Sequence, residues 1–168
     1  ARNHFESALQ QHPDSASTKY HLGLATLGMG EYDLAGRLFE EVLQQLPGDY
    51  LATSNLAYVK LRQGDTQRCR DLLVPLVLEQ PNDVHNLRRL GTAELLLQDY
   101  DAASKRFRTL VQLDETQPLD YAKLAWSEAA VGRRSEAKRH LQLAEKLAPG
   151  DPSVARIARI IADLLGGP

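Results

Sequence analysis

The side chains with chemical potential in this chain are few and scattered. Five histidines, His4, His12, His21, His85 and His140, could offer metal ligands or a general base. None pairs with another at i, i+4, and none has an acidic ligand at metal-binding spacing. The one cysteine, Cys69, excludes an internal disulfide and a cysteine-based zinc site. A nucleophilic serine would need a strained turn of the G-x-S-x-G kind, which is absent. Gly28-Met29-Gly30 lacks both the further glycines and the preceding strand of a phosphate-binding loop. These residues predict no enzyme, no metal and no cofactor.

The side chains that remain could hold a partner, and the elements that position them follow one pattern. Between Ser17 and Pro47, Leu22-Gly23, Gly30, Ala35, Phe39 and Pro47 sit where a helix, a turn, a second helix and a stop would place them. A shift of 34 residues gives Leu56-Ala57, Gly64, Cys69, Leu73 and Pro81. Further shifts give Leu90-Gly91, Gln98, Ala103, Phe107 and Glu115, then Leu124-Ala125, Gly132, Ala137, Leu141 and Pro149. A fixed period of this length means stacked helix pairs, each unable to bury its apolar face alone. Cys69 falls in the small-residue slot filled by Ala35, Ala103 and Ala137, so it reads as a buried structural thiol.

The pattern resembles the tetratricopeptide repeat, whose motif sets large, small and aromatic residues and a closing proline at such offsets. The resemblance implies an all-α fold, a right-handed α-solenoid of stacked antiparallel helix pairs. Its repeats would occupy residues 16–49, 50–83, 84–117 and 118–151, with a capping helix over 152–168. Ala1, Phe5, Ala8 and Pro13 fit the second half of an earlier copy, so residues 1–15 read as the second helix of a truncated repeat, as in a piece of something longer.

In proteins with this repeat, the first helix of each pair lines the concave face. Carrying those positions over gives candidate binding residues Tyr20, His21, Asn55, Tyr58, Arg62, Arg88, Arg89, Lys123, Trp126 and Arg156. Arginine and aromatics are the types enriched at binding hot spots. The expected function is non-enzymatic protein–protein interaction, with a peptide or extended segment bearing acidic and hydrophobic side chains on that face. Replacing Arg88 and Arg89 by Glu is then expected to weaken binding without unfolding the chain. A second reading stays open, a structural scaffold assembling through its ends or convex face in a larger machine such as a bacterial secretion, pilus or polysaccharide-export complex. Exposed terminal helices would then favour self-association.

Composition agrees with a soluble, packed chain. It is 43% hydrophobic and 25% charged with a formal net charge of −2. No overall field draws it to nucleic acid, although residues 85–168 carry 13 basic and 11 acidic side chains against 7 and 11 in residues 1–84. No apolar run approaches the roughly 20 residues that span a bilayer, so direct membrane insertion is not expected. No signal peptide opens the sequence, which carries little weight in a fragment, and the location stays open between cytoplasm and periplasm. Three departures disturb the repeat. Pro75 should bend or break its helix, Gln98 replaces a turn glycine, and Glu115 replaces the closing proline, with Pro118 placed to start the next helix.

Overall fold

The computed structural model describes residues 15–113 and 117–166, and all regular structure among them is helical. Nine helices are present in these residues: α1 (Ala16–Gly28), α2 (Tyr32–Gln45), α3 (Tyr50–Gln63), α4 (Thr66–Glu79), α5 (Val84–Leu96), α6 (Tyr100–Leu110), α7 (Pro118–Ala130), α8 (Arg134–Leu147) and α9 (Pro152–Leu165). The helix expected over residues 1–12 and the substituted Glu115 lie outside the described residues. The described helices form two compact units, α1 to α4 and α5 to α9. In the first, α1 pairs with α2, α3 pairs with α4, and α2 packs on α3. In the second, α5 pairs with α6, α7 with α8, α6 packs on α7, and α9 lies chiefly on α7.

Each pair is closed by the same turn, because one backbone position in it must be left-handed. Gly30, Gly64 and Gly132 hold φ of 79°, 84° and 80° there, and Gln98 holds 63° in the third pair. The N–H of the residue after each turns back to a carbonyl five residues earlier: Glu31 to Thr26 at 3.0 Å, Asp65 to Lys60 at 2.9 Å, Asp99 to Glu94 at 2.9 Å and Arg133 to Glu128 at 2.8 Å. Gln98 bears a Cβ that this conformation penalises by about 1–2 kcal/mol. Gln98→Gly is therefore expected to raise the urea midpoint of the second unit, the gain trimmed to about 1 kcal/mol by glycine's greater chain entropy.

The first helix of a pair begins at a side-chain cap. Ser15, Asp49, Asp83 and Asp151 accept the N–H of Thr18, Ala52, Asn86 and Val154 respectively, at 2.7–3.2 Å. At α7 the cap is Gln117, with the Asp120 carboxylate taking the Gln117 N–H at 3.1 Å and Pro118 in the first turn.

Packing within a pair depends on the small residues. Ala35, Cys69, Ala103 and Ala137 are fully buried, as are Phe39, Leu73 and Phe107. A Cβ on Gly23 would stand 2.9 Å from Phe39 Cε1, and one on Gly91 would stand 3.1 Å from the Phe107 ring. Those glycines set how closely the helices approach. Of the bend or break expected at Pro75, the break does not occur, since α4 runs continuously from Thr66 to Glu79 with Pro75 inside it. Proline removes one hydrogen bond there, but Leu73, Leu76 and Val77 around it are buried, and that packing holds the last turn in place. At the end of the chain α9 buries Val154, Ile157 and Ile161 and turns Arg156, Arg159 and Asp163 to solvent.

Candidate partner-binding face

In the first unit, α3 carries Leu51, Asn55, Tyr58 and Arg62 at steps of four, three and four residues, which is one stripe along a helix. The stripe is tied to α1 at Asn55, whose Nδ2 donates to the Tyr20 hydroxyl at 3.2 Å and to the Leu51 carbonyl at 2.9 Å. Tyr20 leans on Phe39, with ring centroids 5.8 Å apart, and meets the exposed His21 edge-on at 5.5 Å. Burial raises the Tyr20 pKa above its ordinary value, more than the Asn55 bond lowers it. The phenol therefore stays neutral and keeps a proton to donate while it accepts from Asn55.

Arg62 is exposed yet held on several sides. Its guanidinium donates to the Tyr58 hydroxyl at 2.8 Å and lies 4.9 Å from the Tyr32 ring centroid and 5.8 Å from that of Tyr58. Accepting that bond, the Tyr58 hydroxyl lifts the Arg62 pKa further above the usual arginine value. A fixed cation between two aromatic rings offers a forked donor to a carboxylate at reduced entropic cost.

The second unit uses several of its matching positions differently. Arg88 lies against Asp120 of α7, with Nε at 2.9 Å and 3.1 Å from the two carboxylate oxygens and Nη2 at 2.8 Å, and Asp120 is only 1% exposed. This pair joins α5 to α7, so Arg88, expected as a partner-binding residue, is engaged within the fold. Lys123 donates from Nζ to Thr92 Oγ1 at 2.9 Å and sits 5.8 Å from the Phe107 ring centroid. Trp126 is half-buried and packs with Ala122, Ala125, Val154 and Ile157 in the core under α9. Arg89 is half-buried and Arg156 exposed. The ten residues therefore divide by unit, with Tyr20, His21, Asn55, Tyr58 and Arg62 in the first and the other five in the second.

Burial depresses the Lys123 pKa, with the Arg88 charge adding to the shift and the Asp120 charge opposing it. A lysine whose folded pKa lies below its unfolded one costs stability at neutral pH, and that cost fades as pH rises through the folded value toward the unfolded one. Lys123→Met is therefore expected to match or exceed the parent's unfolding midpoint at pH 7. The advantage should shrink on titration toward pH ~10, near the ordinary lysine pKa. A pH series of urea melts on the two proteins would isolate that difference.

The sequence reading missed a buried acidic slot. Glu94 and Glu128 are 3% and 0% exposed, and they stand one 34-residue period apart, where Thr26 and Lys60 stand in the first unit. Glu94 meets Arg106 at 3.3 Å, while Glu128 meets His140 Nδ1 at 2.7 Å and Arg108 at 3.1 Å. Arg106 and His140 are also one period apart. Covarying charge at a fixed offset of 12 residues was the available signal. The Arg108–Glu128 contact has a sign-reversed counterpart in the first unit, Glu40 with Lys60 at 2.9 Å, two periods earlier.

Two family models described as tetratricopeptide repeat match residues 26–92 and residues 1–50, together more than half of the 168 residues. The chain belongs to the tetratricopeptide repeat family. As such it is an all-α solenoid of helix pairs and a protein–protein interaction module. A solved structure described as YrrB, a TPR protein with an unusual peptide-binding site, aligns with TM-score 0.78 over 99% of this chain and 95% of its own at 14% identity. A MamA segment from Desulfovibrio magneticus RS-1 aligns with TM-score 0.75 over 90% of this chain and 93% of its own at 16% identity. At such identities the likeness is one of fold. The putative cellulose synthase operon protein C of Escherichia coli O157:H7 is 28% identical to this tetratricopeptide repeat chain over 113 residues, 67% of the chain, which spans only 10% of that protein's length. Among the described residues, no helix is long and apolar enough to cross a membrane.

Proposed function

We propose that this tetratricopeptide repeat module binds an extended protein segment along the α1/α3 face of its first unit. The observation that carries this reading is the stripe Leu51, Asn55, Tyr58 and Arg62, whose polar members are held by Tyr20, Tyr58 and Tyr32 without being buried. Side chains ordered before binding lose less entropy when a partner arrives. An acidic side chain of the segment pairs with Arg62, and apolar side chains lie against Tyr20, Leu24 and Tyr58. In the second unit Arg88 and Lys123 are engaged within the fold, so the partner's charge is read mainly at Arg62.

The test begins with a partner recovered by affinity capture and titrated against Tyr58→Ala and Arg62→Glu. Each change is expected to weaken binding about tenfold or more, and Arg62→Glu should also flatten the salt dependence of association. Unchanged affinity in both variants refutes the reading. Assembly through the ends or convex face would then lead, and would show as a mass that grows with concentration in light scattering.

A further inference from the structure

A cleft of about 200 Å³ opens in the first unit between the first turn of α1, the end of α2 and the start of α3, with Tyr20, Val42, Leu46 and Leu51 in its lining. In the second unit, a cleft of about 290 Å³ includes Pro118, Leu119, Ala148, Asp151 and Ser153. Those five stand 102 residues, three periods of 34, after Ala16, Ser17, Leu46, Asp49 and Leu51 of the first cleft. The repeat thus places a cleft at the same position in each unit, where a helix pair meets the first turn of the next helix. The linings differ in kind. Leu46 and Leu51 of the first cleft, 49% and 58% exposed, correspond to Ala148 and Ser153 of the second. The one charged side chain of the first, Asp49, already accepts the Ala52 N–H at 2.7 Å as a helix cap.

The first cleft is smaller than the roughly 300–1,000 Å³ of small-molecule sites, and its apolar walls suit a single side chain. Leu51 also begins the α3 stripe that ends at Arg62. Eleven residues of helix return to within about 20° of the same face and advance about 16 Å, a distance that about five residues of extended chain cover. We infer that the cleft seats one aliphatic or aromatic side chain of the bound segment, and that the segment carries an acidic side chain about five residues away, at Arg62. This rests on the proposed α1/α3 reading and adds the partner's chemistry and spacing to it.

A random dodecapeptide phage library selected on the full chain at low salt reads this pattern directly. Parallel selections use Leu51→Glu and Arg62→Glu, both at exposed positions, with circular dichroism to show that each remains helical. The enriched peptides are expected to share an apolar and an acidic residue about five positions apart in either chain direction. Leu51→Glu should erase the apolar preference alone, and Arg62→Glu the acidic one alone. An enriched peptide, synthesised and titrated, should lose about tenfold in affinity on Leu51→Glu. If the same motif emerges on Leu51→Glu but changes on Arg62→Glu, the cleft inference fails while the α1/α3 reading stands. If it emerges unchanged on both variants, or nothing is enriched on the parent, both fail. Should the parent self-associate and Leu51→Glu not, the cleft's occupant is a second copy and the inference is overturned.

Discussion

Arg88→Leu is expected to destabilise the second unit by about 3–5 kcal/mol, the cost of leaving one member of a buried ion pair without the other. Asp120 is 1% exposed, holds the Arg88 guanidinium through three hydrogen bonds and also takes the Gln117 N–H at the start of α7. Removing the arginine strands a carboxylate that water cannot reach. Urea unfolding followed by far-UV circular dichroism would show the loss, and Arg88→Leu with Asp120→Asn should recover much of it. The Arg88, Arg89→Glu pair, which the sequence alone presents as a harmless test of a basic face, would drive like charges together at Asp120. A loss of binding in it would not distinguish a lost contact from a damaged fold. An Arg88→Leu protein as stable as the parent would show that the pair is not what holds α5 to α7.

Phe39→Ala should cost the first unit about 3–5 kcal/mol. The ring is fully buried and sits where a Cβ on Gly23 would come within 2.9 Å of it, so α1 and α2 have been brought together around this one side chain. Its loss leaves a cavity that neither helix can close, because Ala35, Leu56 and Val59 around it are buried and already packed. Tyr20 leans on the same ring, so the α1 side of the candidate face should loosen with the core. A drop of less than about 1 kcal/mol would mean that the site collapses to fill the space.

How much of this was legible beforehand depended on distance along the chain. The period of 34 located the helix pairs, the left-handed turn position and the small residues against Phe39 and Phe107, since each is a local or within-repeat requirement repeated four times. A break at Pro75 is opposed by the burial of Leu73, Leu76 and Val77, which the local loss of one hydrogen bond does not reveal. Side chains at equivalent positions proved harder to tell apart. Arg88 and Tyr20 occupy the same slot two periods apart, yet Asp120, 32 residues on, draws the arginine into a pair. Which arginine meets solvent is decided by a carboxylate in the next pair, and composition of the slot does not reveal it.

A partner lying on the α1/α3 face of the first unit would be captured by a site-specific crosslink from that face. A photo-crosslinking side chain would replace Leu24 on α1, which is 36% exposed, or Gln44 on α2, which is exposed and belongs neither to the cleft lining nor to the Tyr20–Asn55 contact. With the captured partner bound, position 24 should yield a covalent adduct and position 44 should not. Adducts from position 44 and none from position 24, with both proteins folded and binding, would contradict that placement.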